Sequence, residues 1–257
     1  MNIFGADPQP SPTDHETPLA RLLAERDDLW RGHRCLSTQT GCIPTGYAPL
    51  DWALPWGGWP AAGLTEILTD QPGAGLALIL PALAGLCGGR SQPSGDAGGR
   101  SVAIPNRHSY DRWLLLVNPP LIPYPPALDA QGIALERLLL IDAPSHGAWA
   151  IEQGLRIGGC AVIVGWTASS LGAKGWDIER EVGVWSTAAL RRLQLAAAEA
   201  RIPTLLLRPT NAAKQSSPAM LRLMVCAEGA ELAVTLHKVR GARAGGHLHL
   251  SSVAFGQ

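Results

Sequence analysis

A surplus of charge of either sign is missing: 21 Lys and Arg balance 21 Asp and Glu over 257 residues. Without a net field the chain is not drawn to an anionic membrane or to nucleic acid by its charge. A strong sequence-independent DNA binder is normally basic, so autonomous DNA binding is expected to be weak or absent. Cysteine is sparse and scattered: Cys35, Cys42, Cys87, Cys160 and Cys226 form no CxxC and no regular spacing. That argues against a disulfide framework or a zinc site, and the three in apolar surroundings read as small hydrophobes. His247 and His249 share a face if their segment is a strand, but no third ligand lies near, so surface histidines rather than metal ligands are expected. No hydrophobic run reaches the roughly 20 residues of a membrane span. The first eighteen residues are Pro-rich and polar, unlike a secretory signal. A cytoplasmic chain is expected. What is present is apolar material: 46% of residues are hydrophobic and only 16% charged, ample for the core of one large domain.

Residues 1–17, with Pro8, Pro10 and Pro12 among polar neighbours, are expected to be disordered. Residues 18–40 hold a short helical pattern, TPLARLLAERDDLWRG, in which Thr17 suits the cap and Pro18 the first turn. Leu19, Leu22, Leu23 and Trp30 form one apolar stripe that the helix cannot bury alone. It must dock on its own core or on another chain. From residue 41 strands and helices alternate. Strands are expected at Leu64–Leu68, Trp113–Val117, Leu138–Ile141, Ala161–Val164 and Thr204–Leu207. Helices are expected at about Leu76–Cys87, Ala127–Gly132, from a Ser145 cap through Ile157, and opened by Ser186 to before Pro203. The Gly/Ser-rich stretch at about 88–112 reads as a flexible insertion. Three further strand-like runs (Leu221–Ala227, Leu232–Val239, His247–Val253) have no helices between them. The fold class is α/β, a core over residues 41–257 with a largely parallel central sheet flanked by helices and extended by C-terminal antiparallel strands.

The block GCIPTGYAPLDWALPWGGWPAAGLTEIL, Gly41–Leu68, resembles the entry to the core of RecA-type recombinases through Ile43, Thr45, Gly46, Leu50, Asp51, Gly57, Gly58, Glu66 and Ile67. In local terms Gly46 and the Gly pair permit tight turns, and Asp51 can cap the helix after the turn. In that superfamily the strand feeds a phosphate loop, G-x-x-x-x-G-K-[ST]. Here TDQPGAGLALIL follows. Gly73 and Gly75 read as a flexible loop, with Leu76 and Ala77 where Lys and Ser/Thr are expected. The Walker B strand should end in Asp, but this one ends in Gly165 and Trp166. The strand LLLV runs into Asn118, Pro119 and Pro120, where the catalytic Glu is expected. Three parts of one mechanism are missing together, which implies no ATPase activity and no bound cofactor. The competing reading is an ATPase whose cation comes from elsewhere, with Lys174 or Lys214 as the source.

Among RecA-like chains without these residues, this one resembles the ImuA family of SOS-associated translesion-synthesis accessories, sometimes labelled SulA-like. The motifs are DLWRGH, IPTGYAPLDWALPWGGWP, PGAGL and VNPPLIPYPPALDAQGIALERLLLI, spread over about Leu19–Val239. The long stretch Gly88–Arg112 departs from the family. The resemblance implies RecA and an ImuB-type Y-family polymerase homologue as partners, a DnaE2-type polymerase acting indirectly, and room for self-association. The alternative is a SulA-type division inhibitor that binds FtsZ, although such chains are usually shorter. Candidate partner contacts are the Leu19–Trp30 stripe, the tryptophans Trp52, Trp56 and Trp59 around the Gly pair, and the basic residues Lys238, Arg240 and Arg243. The loop SSLGAKGWDIEREVG is net negative, against inherited DNA contact.

Overall fold

The computed structural model describes residues 41–88, 112–167, 171–172, 175–176, 185–242 and 244–251. The helix expected over Leu19–Trp30, almost all of the insertion, Lys174 and Arg243 lie outside the described residues. The chain runs β1 (Cys42–Ile43), α1 (Ala48–Ala53), β2 (Trp59–Pro60), β3 (Gly63–Leu68), α2 (Pro72–Cys87), β4 (Trp113–Val117), α3 (Pro125–Ala130), β5 (Leu138–Ile141), α4 (Gly147–Ile157), β6 (Cys160–Trp166), β7 (Leu171–Gly172), β8 (Gly175–Trp176), α5 (Thr187–Ala200), β9 (Pro203–Arg208), β10 (Leu221–Glu228), β11 (Glu231–Val239) and β12 (His247–Ser251). Eight strands form the central sheet in the order β12-β11-β10-β3-β9-β6-β4-β5. The pairings from β10 through β5 are parallel, and β10-β11-β12 is antiparallel. The expected α/β architecture is therefore the observed one.

Period-two alternation of the strands separates two apolar clusters, one on each face of the sheet. Ile67, Leu114, Leu116, Val164 and Leu207 meet α2 on one face. Leu64, Leu115, Ile163 and Leu206 meet α4 and α5 on the other. Because β3, β6 and β9 are covered on both faces, every one of their residues is buried, and only CAVIVGW of β6 reads as a continuous apolar run. Ser186 caps α5, its hydroxyl accepting from Ala189 N at 3.2 Å, as expected. Ser145 does not cap α4. It lies in a 3-10 turn, Pro144–His146, and α4 starts at Gly147 with no side-chain cap.

The TG turn is built differently from expectation. Asp51 does not cap α1; its carboxylate accepts from Thr45 N at 2.9 Å and closes the turn from the far side. Thr45 Oγ1 in turn accepts from Tyr47 N. Tyr47 is thereby placed against α2, where Pro81 sits inside the helix. Pro81 has no N–H for the carbonyl of Ala77 four residues earlier. The Tyr47 hydroxyl donates to that carbonyl at 3.2 Å instead. Burial pushes the Tyr47 hydroxyl above the usual phenol range, so it stays a donor.

The cysteines divide by environment. Cys87 and Cys160 are buried and Cys226 is exposed. Burial, then the neighbouring Cys160, push the Cys87 thiol up to about 12, with Arg137 opposing weakly. Burial also raises Cys160. The thiolate is the reactive form, so iodoacetamide at pH 8 is expected to modify Cys226 at least tenfold faster than Cys87 or Cys160. Peptide mapping of a labelling time course checks this; equal rates would mean that the core opens readily.

Candidate functional site

In open α/β sheets ligands gather outside the carboxyl ends of the strands, and the motif positions singled out in the sequence lie there. β3 ends at Leu68 and α2 begins at Pro72, leaving only Thr69, Asp70 and Gln71 between them. All three side chains bond within the chain. Thr69 Oγ1 accepts from Gln71 N at 3.0 Å. Asp70 accepts from the backbone N–H and the hydroxyl of Thr210. Gln71 Oε1 accepts from Ala227 N at 2.6 Å.

The helix was expected from Leu76, with Gly73 and Gly75 in a flexible loop. Both glycines instead lie within α2, which starts four residues earlier with Pro at its first turn. Gly75 serves packing: a Cβ there would lie 2.6 Å from Leu207 Cδ2 and 3.1 Å from Thr69 Cγ2. Leu76 is half-buried and Ala77 buried in the helix.

The other two motif positions are also built into the packing. A Cβ on Gly165 would lie 2.5 Å from Ile151 Cδ1, so the glycine lets α4 approach β6. Trp166 is 2% exposed. Asn118 adopts φ 54° at the end of β4, a left-handed conformation that Asn tolerates better than most residues. Its amide oxygen accepts from Ala143 N at 2.6 Å and its amide nitrogen donates to Ala143 O at 3.1 Å. Asn118 therefore staples the ends of β4 and β5 together.

The sequence reading missed the buried polar cluster beside this edge. Register places Glu66 on β3 opposite Arg222 on β10, and Arg222 opposite Lys238 on β11. Glu66 and Arg208 are fully buried, and Arg222 nearly so. Arg222 Nε donates to Glu66 Oε2 at 2.7 Å, and Arg208 Nη1 to Glu66 Oε1 at 3.2 Å. Ser217 Oγ donates to Glu66 Oε1 at 2.6 Å. The rest of the Arg222 fork donates to the carbonyls of Ala212, Ala213 and Gln215, and Arg208 reaches Gln215 Oε1. The cluster thus clamps the 209–220 segment onto the sheet. Its signal in the sequence was a lone Arg in each of two apolar runs, LLLR and LRLM.

The candidate partner contacts separate. Trp52 is 89% exposed, but Trp56 and Trp59 are buried at 9% and 1%. The latter two are core residues rather than surface contacts, because the Gly pair turns the chain back and packs them beneath it. Lys238 is turned inward, donating to Ser217 O at 2.6 Å, while Arg240 is exposed. Burial and the adjacent Arg222 pull the Lys238 ammonium below the usual lysine range, with Glu66 pulling back. Lys238 and Arg240 therefore do not form one outward basic patch, and Arg243 and the Leu19–Trp30 stripe lie outside the described residues.

Besides Trp52, other large apolar side chains are exposed, among them Trp113, Ile157 and Leu195. Leu121, Ile122 and Tyr124 follow β4, Leu139 and Leu140 form the middle of the edge strand β5, and Trp149 opens α4. Among the described residues no helix is long and apolar enough to cross a membrane, and no cluster of His, Cys, Asp or Glu could hold a metal ion. No protein-family model matches the chain, and no curated protein matches it.

Proposed function

We propose that the chain is a non-catalytic RecA-like accessory factor of SOS-induced mutagenic translesion synthesis, of ImuA type. It works in the cytoplasm through protein contacts with RecA and an ImuB-type polymerase homologue, with a DnaE2-type polymerase engaged indirectly. The observation that carries the non-catalytic part is the strand-to-helix link after β3. A phosphate loop holds its ligand with free backbone N–H groups, a Lys and a Mg²⁺-binding hydroxyl. Here the link is three residues long, its side chains are bonded to the chain itself, and half-buried Leu76 and buried Ala77 stand at the cation and hydroxyl positions. These residues do not fit a magnesium nucleotide.

The exposed apolar side chains of Leu121, Ile122 and Tyr124 after β4, and of Leu139 and Leu140 on the edge strand, support a protein-binding role. The motif order from Ile43 to Ile67 supports the RecA-like reading. The test is binding of the purified chain to RecA, to the polymerase homologue and to FtsZ, each with and without ATP. Nucleotide-independent binding to RecA or to the polymerase homologue, with none to FtsZ, is expected. Binding to FtsZ alone would transfer the chain to division control. ATP binding lost in Lys214→Ala would restore the ATPase reading.

A further inference from the structure

Strand β5 is the last of the central sheet, with β4 on one side and, among the described residues, no strand on the other. Its ladder sets which backbone groups are open. Ile141 O accepts from Asn118 N at 2.8 Å, so Ile141, and Leu139 two residues before it, aim their backbone polar groups at β4. Leu138, Leu140 and Asp142 then aim theirs outward. The Leu138 N–H is taken by Leu135 O. Among the described residues, the Leu138 carbonyl, both backbone groups of Leu140 and the Asp142 N–H remain as a row of donors and acceptors for one more strand.

The side chains on this edge are apolar on both faces. Leu139 is 46% and Leu140 39% exposed, and Leu138 and Ile141 are half-buried. Sheet edges are ordinarily blunted by Lys, Pro or a bulge, and the four residues Leu138–Ile141 contain none of these. The carboxylates of Asp129, Glu136 and Asp142 around the edge are exposed, against one half-buried guanidinium, Arg137.

Charge selects the occupant. If β5 paired antiparallel with β5 of a second copy, the parity of the open groups would allow Leu139 opposite Leu139 or Leu140 opposite Leu140. Either register brings the exposed carboxylates that flank β5, Glu136 in the 3-10 turn before it and Asp142 just after it, toward those of the other copy. Like charges facing each other across strands are destabilising. A segment with basic flanks turns the same carboxylates into attraction.

We propose that the open edge of β5 accepts an extended segment of a partner protein as a ninth strand, apolar over about four residues and flanked by Lys or Arg. This rests on the reading of the chain as a protein-binding module, but it is tested without any of the partners named above.

The probes are two acetylated, amidated peptides, KKVTVKK and EEVTVEE, added to the full chain at low salt and followed by amide hydrogen exchange and fluorescence polarisation. The Leu140 and Asp142 amides are expected to exchange fast in the free protein and to be protected by the Lys-flanked peptide, which binds at least tenfold tighter than the Glu-flanked one. The double variant Glu136→Lys/Asp142→Lys is expected to reverse that preference. Leu140→Pro, which removes an outward N–H and none that bonds to β4, is expected to abolish protection while leaving the circular dichroism unchanged. If that variant misfolds, the charge reversal decides alone.

Equal binding of both peptides, or no protection by either, would overturn the proposal. So would fast exchange that is absent in the free chain, since another part of the chain would then hold the edge. Concentration-dependent protection with dimerisation in sedimentation would hand the edge to a second copy. Loss of RecA or polymerase-homologue binding with the peptide result intact would sink the proposed function and leave this site standing.

Discussion

Glu66→Ala is expected to lower the unfolding free energy by about 3–5 kcal/mol, the range for removing one partner of a buried ion pair. The reason is asymmetry rather than the strength of any one bond. Glu66 is fully buried and is the carboxylate on which Arg208 and Arg222 converge. Without it two guanidinium groups remain in an apolar interior facing each other, and Ser217 loses its acceptor. Glu66→Gln keeps the shape and one acceptor oxygen but not the charge, so it should fall between wild type and alanine.

The damage should also be local. Arg222 holds Ala212, Ala213 and Gln215, so loosening it frees the segment between β9 and β10 before the sheet itself opens. Urea unfolding gives the total, and hydrogen exchange over residues 209–220 gives the order of events. A cost below about 1 kcal/mol, the level of an exposed surface pair, would mean that water reaches the cluster.

Gly58→Ala and Gly57→Ala should differ sharply although they are adjacent. Both have positive φ, 77° at Gly57 and 159° at Gly58. At Gly57 an added Cβ meets nothing within 4 Å, so its cost is the backbone conformation alone, about 1–2 kcal/mol. At Gly58 the Cβ would fall 2.3 Å from the carbonyl oxygen of Ile43 and 2.9 Å from its carbon. Those are backbone atoms of β1, and Ile43 is paired there with Trp59. No rotamer change relieves the clash, so the β1-β2 pairing must break and uncover buried Trp59. The expected loss for Gly58→Ala is about 3 kcal/mol or more, strain at or beyond the upper end of ordinary overpacking. Thermal or urea denaturation of the two variants side by side, with tryptophan fluorescence as one probe, reads the difference. Equal losses would remove the close approach as the reason for the second glycine.

Much of the fold was legible because burial on two faces writes itself directly into sequence. WLLLV and CAVIVGW could be placed as strands without knowing their neighbours, and Ser186 ahead of an amphipathic run marked its own helix start. Positions whose role depends on how the chain folds back on itself were read wrongly. Asp51 looked like a helix cap, but its acceptor role is set by where Thr45 folds back. The Gly73–Gly75 stretch looked like a loop, but Pro72 and the contact of Gly75 with Leu207 and Thr69 extend the helix through it.

The tryptophans around the Gly pair share one local composition and have opposite exposures. Nothing within those eight residues distinguishes them. The absence of net charge, the alternation of strands and helices, and the lack of a cation where Leu76 stands are properties of the sequence itself, because each concerns residue types in order along one chain. That Glu66, Arg208 and Arg222 meet, that Lys238 turns inward, and that β5 lies at the edge with its leucines bare were decided only by the tertiary structure. Each is a relation between strands brought side by side by register, and register across a parallel sheet is set by crossovers rather than by local sequence.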